Sequence, residues 1–271
     1  MRSNVGELGD QFPETENLMS QPKPATFVPA DAAAFRYVEK SNPQNSDLQF
    51  LTYGVYELSG PIQSSALAHP AEEALLFCWQ GEVTVSIGGA SYTLCHYDVL
   101  YVPRGAAYQL GQSGGESRVI ICRAPAEKAH PAFHAKWDEF SRDERRIRHL
   151  KGKDVFLMFD VSEPAEKLIA GYTIFQPGQR SWPPHNHTDQ EEVYIFIKGH
   201  GSMEVYGDEE TKSFVRSVGE GDAVTIPLLN YHPVFSQEEE LHFIWCIAGN
   251  RYWVGDKNKD FMSGKVEKLT T

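Results

Sequence analysis

The chain has 271 residues, 41% of them hydrophobic and 12% aromatic, which is ample material for one large or two modest cores. Its 25 Lys and Arg against 37 Asp and Glu give a formal charge of −12, which opposes binding to phosphate backbones or anionic lipid. No stretch approaches the roughly 20 consecutive apolar residues of a membrane span, so neither nucleic acid nor membrane is the expected partner.

Residues 1–25 are polar, rich in Pro, Asn, Gln and Glu, and lack the apolar centre of a secretory signal; they read as a mobile tail on a cytoplasmic protein. Residues 26–128 carry short alternating runs such as "EVTVSIGG", "YTLCHYDVLYVP" and "SRVIICRAP". Residues 129–155 are charged and partly helical in pattern, and predict a linker. Residues 156–271 return to β-rich runs, "EEVYIFIKGHGSMEVYG", "DAVTIPLLNYHPVF" and "LHFIWCIAG". Many short strands punctuated by Gly, Pro and Asp predict an all-β fold of barrels or sandwiches rather than a βα alternation. Cys78, Cys95, Cys122 and Cys246 lie singly in such runs and read as buried, reduced thiols.

The two β-rich halves look like copies of one plan. "LLFCWQGEVTVSIGG" parallels "YIFIKGHGSMEVYG", aligning Gly81 with Gly199 at an offset of 118. "YDVLYVPRGAAYQL" parallels "GDAVTIPLLNYHPV", aligning Pro103 with Pro227 and Tyr108 with His232 at an offset of 124. Two offsets so close, in the same order, predict a tandem duplication of a β-barrel.

Within "PPHNHTDQEEVYIF", His185 and His187 are one residue apart, and on a strand they would point the same way with Cα atoms about 6.5–7 Å apart. Glu192 opens the next apolar run, and His232 follows a turn in "PLLNYH". Three imidazoles and a carboxylate are a ligand set for zinc, manganese, iron or nickel that can leave positions open for water or substrate.

The stretch "GQRSWPPHNHTDQEEVYIFIKG" resembles the first cupin motif and "GDAVTIPLLNYH" the second. That resemblance implies two cupin barrels in tandem, a bicupin of double-stranded β-helices, with His185, His187, Glu192 and His232 holding one divalent ion, zinc or manganese before iron or nickel. The first half departs from the motif: the position aligned with Glu192 is Ala74, with Glu73 one place off, and the position aligned with His232 is Tyr108. His69 alone cannot build a site, so the N-terminal barrel is expected to hold no metal.

Further stretches, "SWPPHNH", "PLLNYHPVF", "CIAGNRYWVGDKNKDF" and "CHYDVLYVPRG" among them, are similar to the bicupin family of 5-deoxy-glucuronate isomerase, an enzyme of inositol catabolism, and 5-keto-4-deoxyuronate isomerase, an enzyme of pectin catabolism. The resemblance implies an aldose-ketose isomerase of a small anionic deoxy uronic acid, working as a homo-oligomer. A cupin dioxygenase and a non-catalytic sugar-acid binder are the readings of other classes.

Such an isomerisation needs a base beside a carbonyl and an acid to return the proton. Glu191 and Tyr194 are the first candidates, with Glu204 and His200 behind them. A uronate entering a protein of charge −12 needs a local cation, for which Arg180, Arg251 and Lys198 are the candidates. Trp182, with Trp245 and Tyr194, is a candidate wall for the sugar ring.

Overall fold

A computed structural model describes residues 34–181, 183–207 and 211–251. The expected tail, the C-terminal residues beyond Arg251, and Trp182 lie outside the described residues.

In chain order the strands of the first half are β1 (Phe35–Ser41), β2 (Thr52–Ser59), β3 (Ile62–Gln63), β4 (Glu72–Gln80), β5 (Val83–Ile87), β6 (Ala90–Leu94), β7 (Val99–Val102), β8 (Tyr108–Gln112), β9 (Glu116–Pro125) and β10 (Phe133–Ala135). A one-turn helix α1 (Trp137–Phe140) and a 3-10 turn (Glu144–Arg146) follow. The second half is β11 (Ile147–Leu150), β12 (Lys153–Phe159), β13 (Leu168–Phe175), β14 (Gln190–Lys198), β15 (His200–Val205), β16 (Phe214–Gly219), β17 (Ala223–Ile226), β18 (Val234–Ser236) and β19 (Leu241–Gly249). The stretch 129–155 is therefore more than a connection. Its β10 pairs with β7, while β11 and the first residues of β12 already belong to the second half's large sheet.

The duplication is visible in the topology. One six-stranded sheet runs β1-β2-β9-β4-β7-β10, and the other runs β11-β12-β13-β19-β14-β17, so β1, β2, β9, β4 and β7 correspond in order to β12, β13, β19, β14 and β17. A smaller sheet, β3-β8-β5-β6 in the first half and β18-β15-β16 in the second, closes each barrel. The aligned Gly81 and Gly199 have φ of +76° and +81°, and a Cβ at either would run into the carbonyl oxygen of Glu116 or Glu240.

Alternation sorts the side chains into three cores. In β5, Val83, Val85 and Ile87 are buried while Thr84 and Ser86 between them are not, the signature of a strand with one wet face. The central strands β4, β9, β14 and β19 carry unbroken apolar runs, "ALLFC", "VIIC", "VYIFI" and "FIWCIA", because both faces are covered there. Leu76, Cys78 and Ile121 face the interior of the first barrel. Tyr194, Phe196, Phe243 and Trp245 face the interior of the second. Between the two large sheets lies a third core, where Leu75, Phe77 and Ile120 of one half meet Val193, Ile195 and Ile244 of the other. Cys78, Cys122 and Cys246 are buried free thiols as expected, but Cys95 is exposed, in the turn that follows β6. No helix among the described residues is long and apolar enough to cross a membrane.

Candidate metal centre and its surroundings

His185 and His187 precede β14 in an irregular segment that is not a strand. Pro183 and Pro184 remove the N–H donors that a ladder needs there. The segment still delivers convergence. The ring centroids of His185 and His187 are 5.1 Å apart, those of His185 and His232 4.4 Å, and those of His187 and His232 5.3 Å. One ligand atom from each of the three imidazoles lies within 4.8 Å of the others. Glu192 comes from the interior face of β14, with Oε2 3.3 Å from His187 Nε2 and 3.2 Å from His232 Nε2.

The protonation pattern shows what this cluster fits. His232 Nδ1 donates to the carbonyl of Asn230 at 2.9 Å, and His187 Nδ1 faces Gln190 Oε1 at 3.1 Å, whose own amide nitrogen donates to the carbonyl of Asn250 at 2.5 Å. Both Nδ1 atoms therefore carry the proton, and both Nε2 atoms turn a lone pair to the centre. His187 Nε2, His232 Nε2 and Glu192 Oε2 are buried and none of them makes a hydrogen bond. Acceptors facing acceptors are repulsive unless a cation lies among them, so the donor set fits a divalent ion. Burial holds His185 well below the usual imidazole range.

Of the remaining residues expected at the site, Tyr194 is present. It shares the interior face of β14 with Glu192, its ring 5.6 Å from that of His232 and 4.5 Å from that of Phe243. Burial and then the charge of Glu192 hold its phenol well above the usual value. Trp245 lines the same barrel interior.

Glu191 is a correction. It points to the opposite face of β14, into the core between the halves, where its carboxylate accepts the backbone N–H groups of Gln49, Phe50 and Leu51. Glu73, 118 residues earlier, does the same in reverse, accepting from Glu166, Lys167 and Leu168 and from the Tyr101 hydroxyl. Each half thus clasps the loop that leads into β2 or β13 of the other.

Two of the expected cations, Arg251 and Lys198, are corrections of the same kind. Arg251 spends its guanidinium on the carbonyls of Leu168, Ala165 and Asp160, closing the loop before β13. Lys198 pairs with Glu240 on the surface at 3.2 Å. Arg180 is exposed, its guanidinium 4.9 Å from the centroid of the Phe235 ring. His200 is bound to Glu239 on the surface at 2.6 Å, and Glu204 alternates with the interior Met203 and Val205 and so faces outward.

One residue near the cluster was missed. Lys153 opens β12 in register with Val155 and Leu157, whose side chains belong to the second barrel's core. Its charge acts on His185 and it feels that of Glu192. The signal was the alternation of "KDVFLMF", hidden because the residue sits at the end of a charged run.

In the first barrel the aligned positions hold a polar plug. His69 Nε2 meets the Tyr108 hydroxyl at 2.9 Å, Tyr108 meets the Tyr56 hydroxyl at 2.9 Å, and Arg123 reaches His69 Nδ1 at 3.1 Å and Glu72 at 2.7 Å. Arg123 pairs in register with Ala74, where the second barrel has Glu192, so the guanidinium fills the space that a longer ligand side chain would take.

The family described as the KduI/IolB family matches residues 27–263. A 4-deoxy-L-threo-5-hexosulose-uronate ketol-isomerase of Opitutus terrae is 26% identical over 192 residues, covering 65% of this chain and 66% of its own. A 5-deoxy-glucuronate isomerase of Listeria monocytogenes is 26% identical over 242 residues, covering 80% and 88%. A ketol-isomerase of Cereibacter sphaeroides is 30% identical over 182 residues, 62% of each chain. The chain thus spans a little under two thirds of the ketol-isomerases it matches and most of the Listeria protein. Among solved structures, an IolB-like protein of Salmonella typhimurium has a TM-score of 0.68 at 19% identity, covering 80% of this chain and 90% of that one. A structure of Bacillus subtilis oxalate decarboxylase, a protein with Mn(II) centres, has a TM-score of 0.65 at 13% identity, covering 81% and 74%. These likenesses identify the architecture as two cupin barrels in tandem.

Proposed function

The chain belongs to the KduI/IolB family, and from that premise we propose that it is a metal-dependent aldose-ketose isomerase of a deoxy uronic acid, with 5-deoxy-glucuronate as substrate. The observation that carries the reading is the convergence of buried acceptors from His187, His232 and Glu192, beside His185, with no donor among them. On this reading those four residues hold one divalent ion, zinc or manganese, in the second barrel only. When bound, the ion supplies Lewis-acid polarisation of a carbonyl oxygen, and an isomerisation asks for no redox change.

The chain's own residues do the rest. Gln190 and Asn230 fix the tautomers of His187 and His232, so the ligand geometry is set before substrate arrives. Tyr194 presents a phenol, protonated at neutral pH, beside His232, and is assigned as the acid that gives its proton to the substrate carbon, while the proton lost from the neighbouring carbon passes to solvent, from which the phenolate is reprotonated. Phe243, Trp245 and Tyr194 form an apolar wall that limits water around the reacting atoms. The four free cysteines suit the cytoplasm, and a homo-oligomer is proposed as its working form.

Coverage of 88% of the Listeria relative supports 5-deoxy-glucuronate. The 30% identity to the Cereibacter relative supports 4-deoxy-L-threo-5-hexosulose-uronate as the second reading. A coupled assay of metal-quantified protein with both uronates, with and without EDTA, separates them. Turnover of 5-deoxy-glucuronate that is lost with the metal is expected. Turnover of the other compound alone selects the second reading, and turnover of neither overturns the isomerase assignment.

A further inference from the structure

Lys153 carries an ammonium into the second barrel. Alternation along β12 puts it on the face of Val155 and Leu157, which packs among Phe175, Tyr194 and Trp245. Its Nζ lies 5.1 Å from the centroid of the Phe175 ring. Lys153 is half-buried, so its ammonium, though set among apolar side chains, stays open to an anion that enters the barrel. Among the described residues none lies within ion-pair distance of Lys153, and the carboxylate whose field reaches it, that of Glu192, is committed to the imidazole cluster. Desolvation draws its pKa down to about 8, which leaves it mostly protonated at neutral pH.

We propose that Lys153 anchors the carboxylate of the uronate, holding it so that the carbonyl end of the same molecule reaches the cluster of His185, His187, Glu192 and His232. This rests on the uronate reading above. It takes the place of Arg251 and Lys198, two of the cations expected from the sequence, which are committed to other partners. It also explains how a chain of charge −12 admits an anion, because an ammonium beside a divalent ion makes the barrel interior locally positive.

The test compares D-glucuronate with its uncharged methyl ester, by calorimetric titration of the metal-quantified protein and of Lys153→Met, which keeps the apolar stem against Phe175. The wild type should prefer glucuronate. The variant should lose about 10- to 100-fold on glucuronate and nothing on the ester, the loss of one charge-assisted contact. Metal content and Tm should be unchanged. An unchanged preference in the variant, an equal loss on both ligands, or a wild type that does not distinguish them overturns the proposal. Lys153→Gln repeats the comparison should the Met variant fold poorly. A wild type that prefers glucuronate but turns over neither uronate defeats the isomerase reading alone, whereas an active enzyme whose variant keeps its preference defeats the anchor alone.

Discussion

Replacing Glu191 by Gln removes one carboxylate oxygen from a point where three backbone N–H groups meet. Oε1 serves Phe50 and Leu51 and Oε2 serves Gln49, so the best-placed amide keeps its oxygen on the first two and turns its NH2 against the N–H of Gln49. One hydrogen bond to a charged group is lost, worth about 1.5–3 kcal/mol, and the other two fall to neutral strength, about 0.5–1.5 kcal/mol each. A buried amide is cheaper to desolvate than a carboxylate, which offsets part of this and leaves a net loss of about 2–4 kcal/mol. At about 2–4 °C per kcal/mol for a chain of this size, the Tm should fall by about 5–15 °C. Glu73→Gln should cost a similar amount, since it breaks the reciprocal clasp. Calorimetry and urea unfolding read the stability, and kcat and metal content are measured on the same samples at a temperature where the variant is folded. An unchanged Tm with kcat reduced by about a thousandfold would refute the reasoning and return Glu191 to an acid-base role.

His187→Ala should drop bound metal from about one ion per chain to near none by elemental analysis, with the circular dichroism spectrum unchanged. Tyr194→Phe should keep its metal and lose about 10²-fold in kcat; a loss confined to KM would remove Tyr194 from proton transfer. Burial and then Arg123 draw the pKa of His69 down to about 3. Between its unfolded value of about 6.5 and that figure the unfolded chain takes up a proton that the folded chain refuses, so stability falls with pH by up to about 1.4 kcal/mol per unit. Urea midpoints of His69→Asn between pH 6.5 and 5 should be flatter than the wild type's, and parallel slopes would contradict the assignment.

What was legible in the sequence was whatever depends on local period and spacing. Val83, Val85 and Ile87 announce their strand by alternation, and the matched positions of Gly81 with Gly199 and Tyr108 with His232 reflect a common order of strands in both sheets. The convergence of His185, His187, Glu192 and His232 was readable because the spacing between the motifs is tied to barrel geometry. The role of Glu191 was not, because β14 is buried on both faces and hydrophobicity alone does not say which face is the barrel interior. Period two did hold the answer, since Glu192 shares a face with Tyr194, and Glu191 with Val193. Arg251 was misread because the carbonyls it caps lie more than 80 residues away in sequence, a contact made only by the fold. Lys153 escaped notice because its strand begins inside a charged stretch that has the composition of a linker.

The central claim is that one ion, held by the second barrel alone, is required for turnover. Stripping the protein with EDTA and titrating zinc or manganese back while recording bound metal and uronate isomerisation together tests it most directly. Activity should rise in proportion to bound metal and saturate at about one ion per chain, and His232→Ala should do neither. Full turnover by the metal-free protein, or saturation only when both barrels are filled, would contradict the account.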